Sequence, residues 1–135
     1  MANEVTPLYR GGNPDLTAQA TAAVTGGRFV SISATIQSGP GLTTEASGGN
    51  LRVAHTAAAA AAFGVSAADA ASGAKLAVIM PGSIVPMIAG ANITAGVGVE
   101  ADAAAKPITL ASGIRVGTAV TTATSGNEVF VRIGA

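Results

Sequence analysis

The segments Phe63–Ile79 (FGVSAADAASGAKLAVI) and Val116–Arg132 (VGTAVTTATSGNEVFVR) align without a gap. Gly64 falls on Gly117, Ala70 on Ala123, Ser72-Gly73 on Ser125-Gly126 and Val78 on Val131. Each copy ends in a strand pattern, and the strand phases agree. Because side chains alternate along a strand, Leu76, Val78 and Met80 share one face, and Val129, Val131 and Ile133 share the matching face of the second copy. These six residues are the expected core. The opposite faces carry Lys75, Ala77 and Ile79 in one copy and Glu128, Phe130 and Arg132 in the other. Ile79 and Phe130 are therefore apolar side chains on the nominal outer face. They belong either to a second core layer or to a subunit interface.

Working outward, the same punctuation recurs. Thr17–Val24 and Arg28–Ala34 flank Thr25-Gly26-Gly27, a hairpin pattern of strand residues around a glycine-containing turn. Lys75–Met80 and Ser83–Met87 flank Pro81-Gly82, which suits a type II turn and predicts a second hairpin. Short strands are also expected at Val97–Ala101, Pro107–Leu110, Ile114–Val120 and Glu128–Ile133. Leu51–His55 alternates weakly, and Gln37–Asn50 is a Gly/Ser/Thr-rich loop. The six-alanine run Ala57–Ala62 favours helix by propensity, but it is too short to hold one alone and contributes at most one or two helical turns. The expected fold is mainly β: a small β-barrel or β-clip-like domain of short strands. An extended N-terminal arm over residues 1–16 precedes a single β-rich domain over 17–135.

Composition narrows the function. Of 135 residues, 49% are hydrophobic, 10% charged and 3% aromatic, and alanine supplies close to half of the hydrophobic set. An alanine-built interior removes little apolar surface per residue, so association with a partner is the natural supplement. Seven basic against seven acidic residues give no electrostatic footprint for nucleic acid or an anionic membrane. The most hydrophobic window, Ala74–Ile93, holds Lys75, Pro81, Gly82, Pro86 and Gly90, which argues against a membrane-spanning helix. The first twelve residues lack a basic segment followed by an apolar run, so no secretory signal is expected.

The chemistry-bearing residues are few. There is no cysteine, and His55 is the only histidine. Thiol nucleophiles, disulfides and Cys/His zinc sites are thereby excluded. His55 reads as a hydrogen-bonded structural residue. Glu100 and Asp102 lie two apart, so on a strand they would share a side; a hard-cation site or acid/base pair is conceivable there, and solvated carboxylates are the simpler reading. Asp69 suits a turn cap. Neither Lys75 nor Lys106 occupies a hairpin tip, which disfavours a swinging-arm carrier. No catalytic, cofactor-binding or metal-binding residue is assigned.

The opening stretch VTPLYRGGNP, Val5–Pro14, has two prolines, two glycines and no period. It reads as an extended arm whose Pro7, Leu8, Tyr9 and Arg10 can lie on a partner. Together with PLYRGGNPDLTAQATAAVTGGRFVSIS, FGVSAADAASGAKLAVI, ITAGVGVEAD and IRVGTAVTTATSGNEVFVRI, taken in order, the chain resembles the small capsid decoration, or cement, proteins of tailed bacteriophages. That resemblance implies a β-rich, non-enzymatic structural protein, made in the bacterial host cytoplasm and bound to the outside of the assembled head. Its implied partners are the major capsid protein and copies of itself, with a trimer favoured. The alternative reading is a secreted or surface-displayed Ala/Thr/Gly-rich adhesin or filament module.

Overall fold

The computed structural model describes residues 3–12, 14–34 and 51–134; the expected Gln37–Asn50 loop lies outside them. Among the described residues there are ten strands and no helix: β1 (Leu16–Ala20), β2 (Phe29–Ala34), β3 (Leu51–His55), β4 (Gly64–Ser66), β5 (Lys75–Ile79), β6 (Ile84–Ile88), β7 (Gly98–Ala101), β8 (Pro107–Thr109), β9 (Gly117–Ala119) and β10 (Glu128–Ile133). The first five close into a barrel in the order β1-β3-β2-β4-β5, and the last five form a sheet in the order β6-β10-β9-β7-β8.

The two halves are one unit used twice. β4 pairs β5 as Val65↔Ile79 and Ser66↔Val78, and β9 pairs β10 as Thr118↔Arg132 and Ala119↔Val131, at residues the sequence repeat aligns. The correspondence extends beyond that repeat. β2 meets β4 as Phe29↔Val65 and Val30↔Gly64, as β7 meets β9 through Gly98↔Thr118 and Val99↔Gly117. The isolated bridge Val24↔Ala70 recurs as Ile93↔Ala123. Gly73 and Gly126 hold positive φ angles of 85° and 84°, a conformation that glycine adopts without a Cβ clash. At Gly64 and Gly117 the constraint is space: an added Cβ would lie 2.5 Å from the Ile79 carbonyl oxygen and 2.7 Å from that of Arg132.

Both predicted hairpins are corrected. Thr17–Val24 and Arg28–Ala34 contribute β1 and β2, but β3 lies between them, parallel to β1 and antiparallel to β2. The connecting residues bond across the barrel end instead, Val24 with Ala70 and the Gly27 N–H with the Ser66 carbonyl. β5 and β6 likewise do not pair, because β1 and β4 already occupy both edges of β5. Pro81-Gly82 therefore carries the chain from barrel to sheet, with the Gly82 N–H on the Ile133 carbonyl at 2.8 Å. The alanine run is not helical either. Ala59, at φ 61°, donates to the Ala101 carbonyl and accepts from the Ile114 N–H, so bonds to the second unit override helix propensity.

Two cores result. Ala18, Val30, Val53, Leu76 and Val78 fill the barrel, with Met80 only half-buried at its margin. The second core joins the units: Phe29, Val65 and Ile79 pack with Val85, Met87, Val99, Val129, Val131 and Ile133. Ile79 is fully buried there, so it belongs to a second core layer and offers no side chain to a subunit interface. Phe29, Val65 and Ile79 are register neighbours on the outer face of the barrel. The start of β2 is tied to the turn before β8, through the Phe29 N–H on the Ala105 carbonyl (3.0 Å) and Arg28 Nη1 on the Ala104 carbonyl (2.8 Å). Phe29→Ala should therefore cost about 3–5 kcal/mol in urea unfolding, since it empties a site shared by both units.

Candidate functional site

The arm lies along its own domain, held by backbone atoms. The Val5 N–H donates to the Ala67 carbonyl (2.8 Å), the Leu8 N–H to the Ile84 carbonyl (2.8 Å), and the Ile84 N–H returns a bond to the Tyr9 carbonyl (2.8 Å). The Gly11 N–H reaches Ser83 Oγ at 3.3 Å. Farther up, Asn3 Nδ2 donates to both carboxylate oxygens of Asp69 (3.0 and 3.1 Å). Asp69 also accepts the Gly26 N–H (2.8 Å). That backbone bond first, and the Asn3 side chain second, hold its carboxyl below the ordinary value. Asp69 thus ties the arm to the 24–27 connection rather than capping its own turn.

While these bonds fasten the arm's backbone and Val5 packs against the joint core, Leu8 and Tyr9 stay out. Leu8 is 65% and Tyr9 60% exposed, the two most exposed large hydrophobic residues among those described. Pro7 is half-buried beside them. Arg10 is committed to Asp15, with Nη1 2.6 Å from Oδ1. A second apolar surface surrounds Phe130, the other interface candidate. On the outer face of the second sheet, Phe130 opposes Pro86, and Ile88 and Val120 are 44% and 43% exposed. Sequence reasoning picked out Phe130 alone. The missed signal is the unbroken apolar run Ile84–Ile88, in which Val85 and Met87 face the core and Ile84, Pro86 and Ile88 face outward.

Glu100, Asp102 and His55 all accept backbone N–H groups. Glu100 is buried, not solvated, and its Oε2 accepts the Ala111 and Gly113 N–H groups at 3.0 and 2.7 Å. Asp102 Oδ1 accepts those of Ala104 and Lys106 at 2.8 and 2.9 Å. The two carboxylates therefore cap different turns. His55 lies on β3 in the other unit, where Nε2 accepts the Thr25 N–H at 2.9 Å. Among the described residues no group of three or more His, Asp or Glu side chains is placed to hold a metal ion. No helix there is long and apolar enough to cross a membrane.

Burial lowers the His55 pKa from 6.5, and the nearby Arg28 charge lowers it further. The unfolded chain therefore binds a proton at a higher pH than the folded one. Stability from neutral His55 is present above the unfolded value near 6.5 and is lost as pH falls through the lower folded value. The melting temperature should fall on acidification below about pH 6.5, and His55→Gln should flatten that part of the profile.

No curated protein sequence matches the chain significantly. The crystal structure of the N base of head fiber gp8.5 from bacteriophage phi29 is similar in fold, with a TM-score of 0.67 and 22% sequence identity over 90% of this chain and 93% of that one. The family of phage cement proteins matches residues 9–134, from the exposed tyrosine of the arm through the last strand. The chain belongs to the phage cement protein family, and it is a structural protein of the virion that decorates and stabilises the phage head.

Proposed function

We propose that the chain binds the outer surface of the assembled head at junctions between major capsid protein subunits, with the arm as its grip. The observation that carries this reading is the contrast within the arm: the backbone is fastened by hydrogen bonds while Leu8 and Tyr9 project into solvent. An ordered segment loses little conformational entropy on docking, so more of the contact energy appears as affinity. A tyrosine beside a leucine is a suitable anchor pair for a pocket between two subunits. Arg10, held by Asp15, sets the polar rim of that grip.

The protein is made in the bacterial host cytoplasm and acts on the head as a homo-oligomer, with a trimer favoured. Several arms on one oligomer bind several junctions at once, which multiplies weak contacts. It performs no bond-making step of its own; the use of Glu100 and Asp102 as turn caps supports that reading.

Leu8→Ala/Tyr9→Ala should fold with a wild-type melting temperature, because both side chains are exposed. Its affinity for expanded empty heads, measured by co-sedimentation, should fall about 10- to 100-fold, the effect of losing one or two anchor side chains. Wild-type binding by this variant would remove the arm from the contact.

A further inference from the structure

The two units share one fold but present opposite surfaces at equivalent positions. On the outer face of the barrel stand Thr17 and Ala77, opposed across β1 and β5, where the second unit has Pro86 and Phe130, opposed across β6 and β10. Ala67 likewise stands where Val120 stands: each N–H bonds to the carbonyl of the residue in question, Ala67 to Ala77 and Val120 to Phe130. Small side chains on one unit thus answer bulky ones on the other. Ala67 and Ala77 line a groove of about 280 Å³, walled by arm residues Glu4–Thr6 and bordered by Lys75; the Arg10–Asp15 pair and Asp69, which also line it, are already bonded within the chain. Phe130, half-buried, and Val120, 43% exposed, form the larger apolar surface at the matching positions. Charge follows the same rule, because the position of Lys75 beside the groove is that of Glu128 beside this surface. Both are exposed, and neither forms an ion pair among the described residues.

We propose that the occupant of the groove over Ala67 and Ala77 is a second copy of this chain, which inserts its Phe130 face and sets Glu128 against Lys75. The contact joins different patches of two copies, so every copy in a closed ring both gives a Phe130 face and receives one. It deepens, and for its use on the head rests on, the oligomer proposed above. The arm forms one groove wall, so subunit contact and arm placement are joined physically.

The full-length chain should sediment above monomer mass in analytical ultracentrifugation. Lys75→Glu and Glu128→Lys should each place like charges together and weaken association roughly tenfold, while the double variant Lys75→Glu/Glu128→Lys restores it. Ala77→Phe, which fills the groove from an exposed position, should also give monomer while keeping the wild-type melting temperature. A monomeric wild-type chain, single charge variants that associate normally, or a double variant that fails to recover would each overturn the contact. Co-sedimentation with heads separates the readings. A chain that self-associates through this charge pair but leaves heads bare refutes the proposed head attachment alone, and a chain that binds heads without the charge-swap rescue refutes this contact alone.

Discussion

The row Phe29, Val65 and Ile79 is the interaction on which the architecture depends. These three residues lie in register on the outside of a closed barrel, where alternation would ordinarily place polar side chains, and all three are fully buried. They are buried because the second unit lacks its own closure. In the first unit β1 and β3 pair in parallel through Ala18↔Leu51, Gln19↔Arg52 and Ala20↔Val53. Among the described residues, the corresponding seam in the second unit keeps one backbone bond, the Gly90 N–H on the Pro107 carbonyl, matching the Thr21 N–H on the Val53 carbonyl. Pro107 has no N–H to offer such a ladder. The Ala105 carbonyl is used instead by the Phe29 N–H, so the first unit enters where the second is open.

This arrangement makes a short chain with small side chains stable enough to fold. Each unit alone has a thin interior: the barrel core is built largely from alanine and valine. Joining the units creates one larger core that contains the bulkiest fully buried side chains, Phe29, Ile79, Met87 and Ile93. Burial scales with apolar area, so pooling two cores removes from water surface that neither unit could cover itself. Ala59 and Gly113 fasten the other side at close range, since a Cβ on Gly113 would lie 2.5 Å from the Ala59 Cβ. Ala59 is therefore a close-packed point between the units, which a bulkier residue would prevent.

Much of this was legible in the sequence, and the failures share a cause. Glu128–Ile133 is legible to the residue, and the aligned residues of 63–79 and 116–132 take equivalent pairings across β4–β5 and β9–β10. That portion is legible because both copies carry glycine where a Cβ would clash, at Gly64 and Gly117, and where φ is positive, at Gly73 and Gly126. Elsewhere, only hydrogen-bond register preserves the relation, as where Phe29 and Gly98 hold one position. Both hairpins failed because local turn chemistry names a reversal but not the strand that lies beside it. Ile79 was ambiguous because an outward apolar side chain reads the same whether its cover is another subunit or another half of the same chain. In the arm, Leu8 and Tyr9 could be named as a candidate contact; the bonds to Ala67, Ile84 and Ser83 that fix it depend on tertiary structure alone.

Duplication of a unit that docks outer face to open seam carries a hazard, because such a contact does not close on itself and a third unit could add to either end. The chain blocks both ends. The barrel has sealed its seam with the β1–β3 pair and can accept no plug. At the other end, the residues matching Phe29, Val65 and Ile79 are Gly98, Thr118 and Arg132, and Arg115 bonds to the Gly117 carbonyl and to Thr118 Oγ1 beside them. A row with a missing side chain, a hydroxyl and a guanidinium cannot enter an apolar core without desolvating a charge. End units with altered outer faces are how repeat proteins terminate. Here a two-unit chain needs both kinds of ending, and Gly98, Thr118 and Arg132 on one side and the β1–β3 pair on the other supply them.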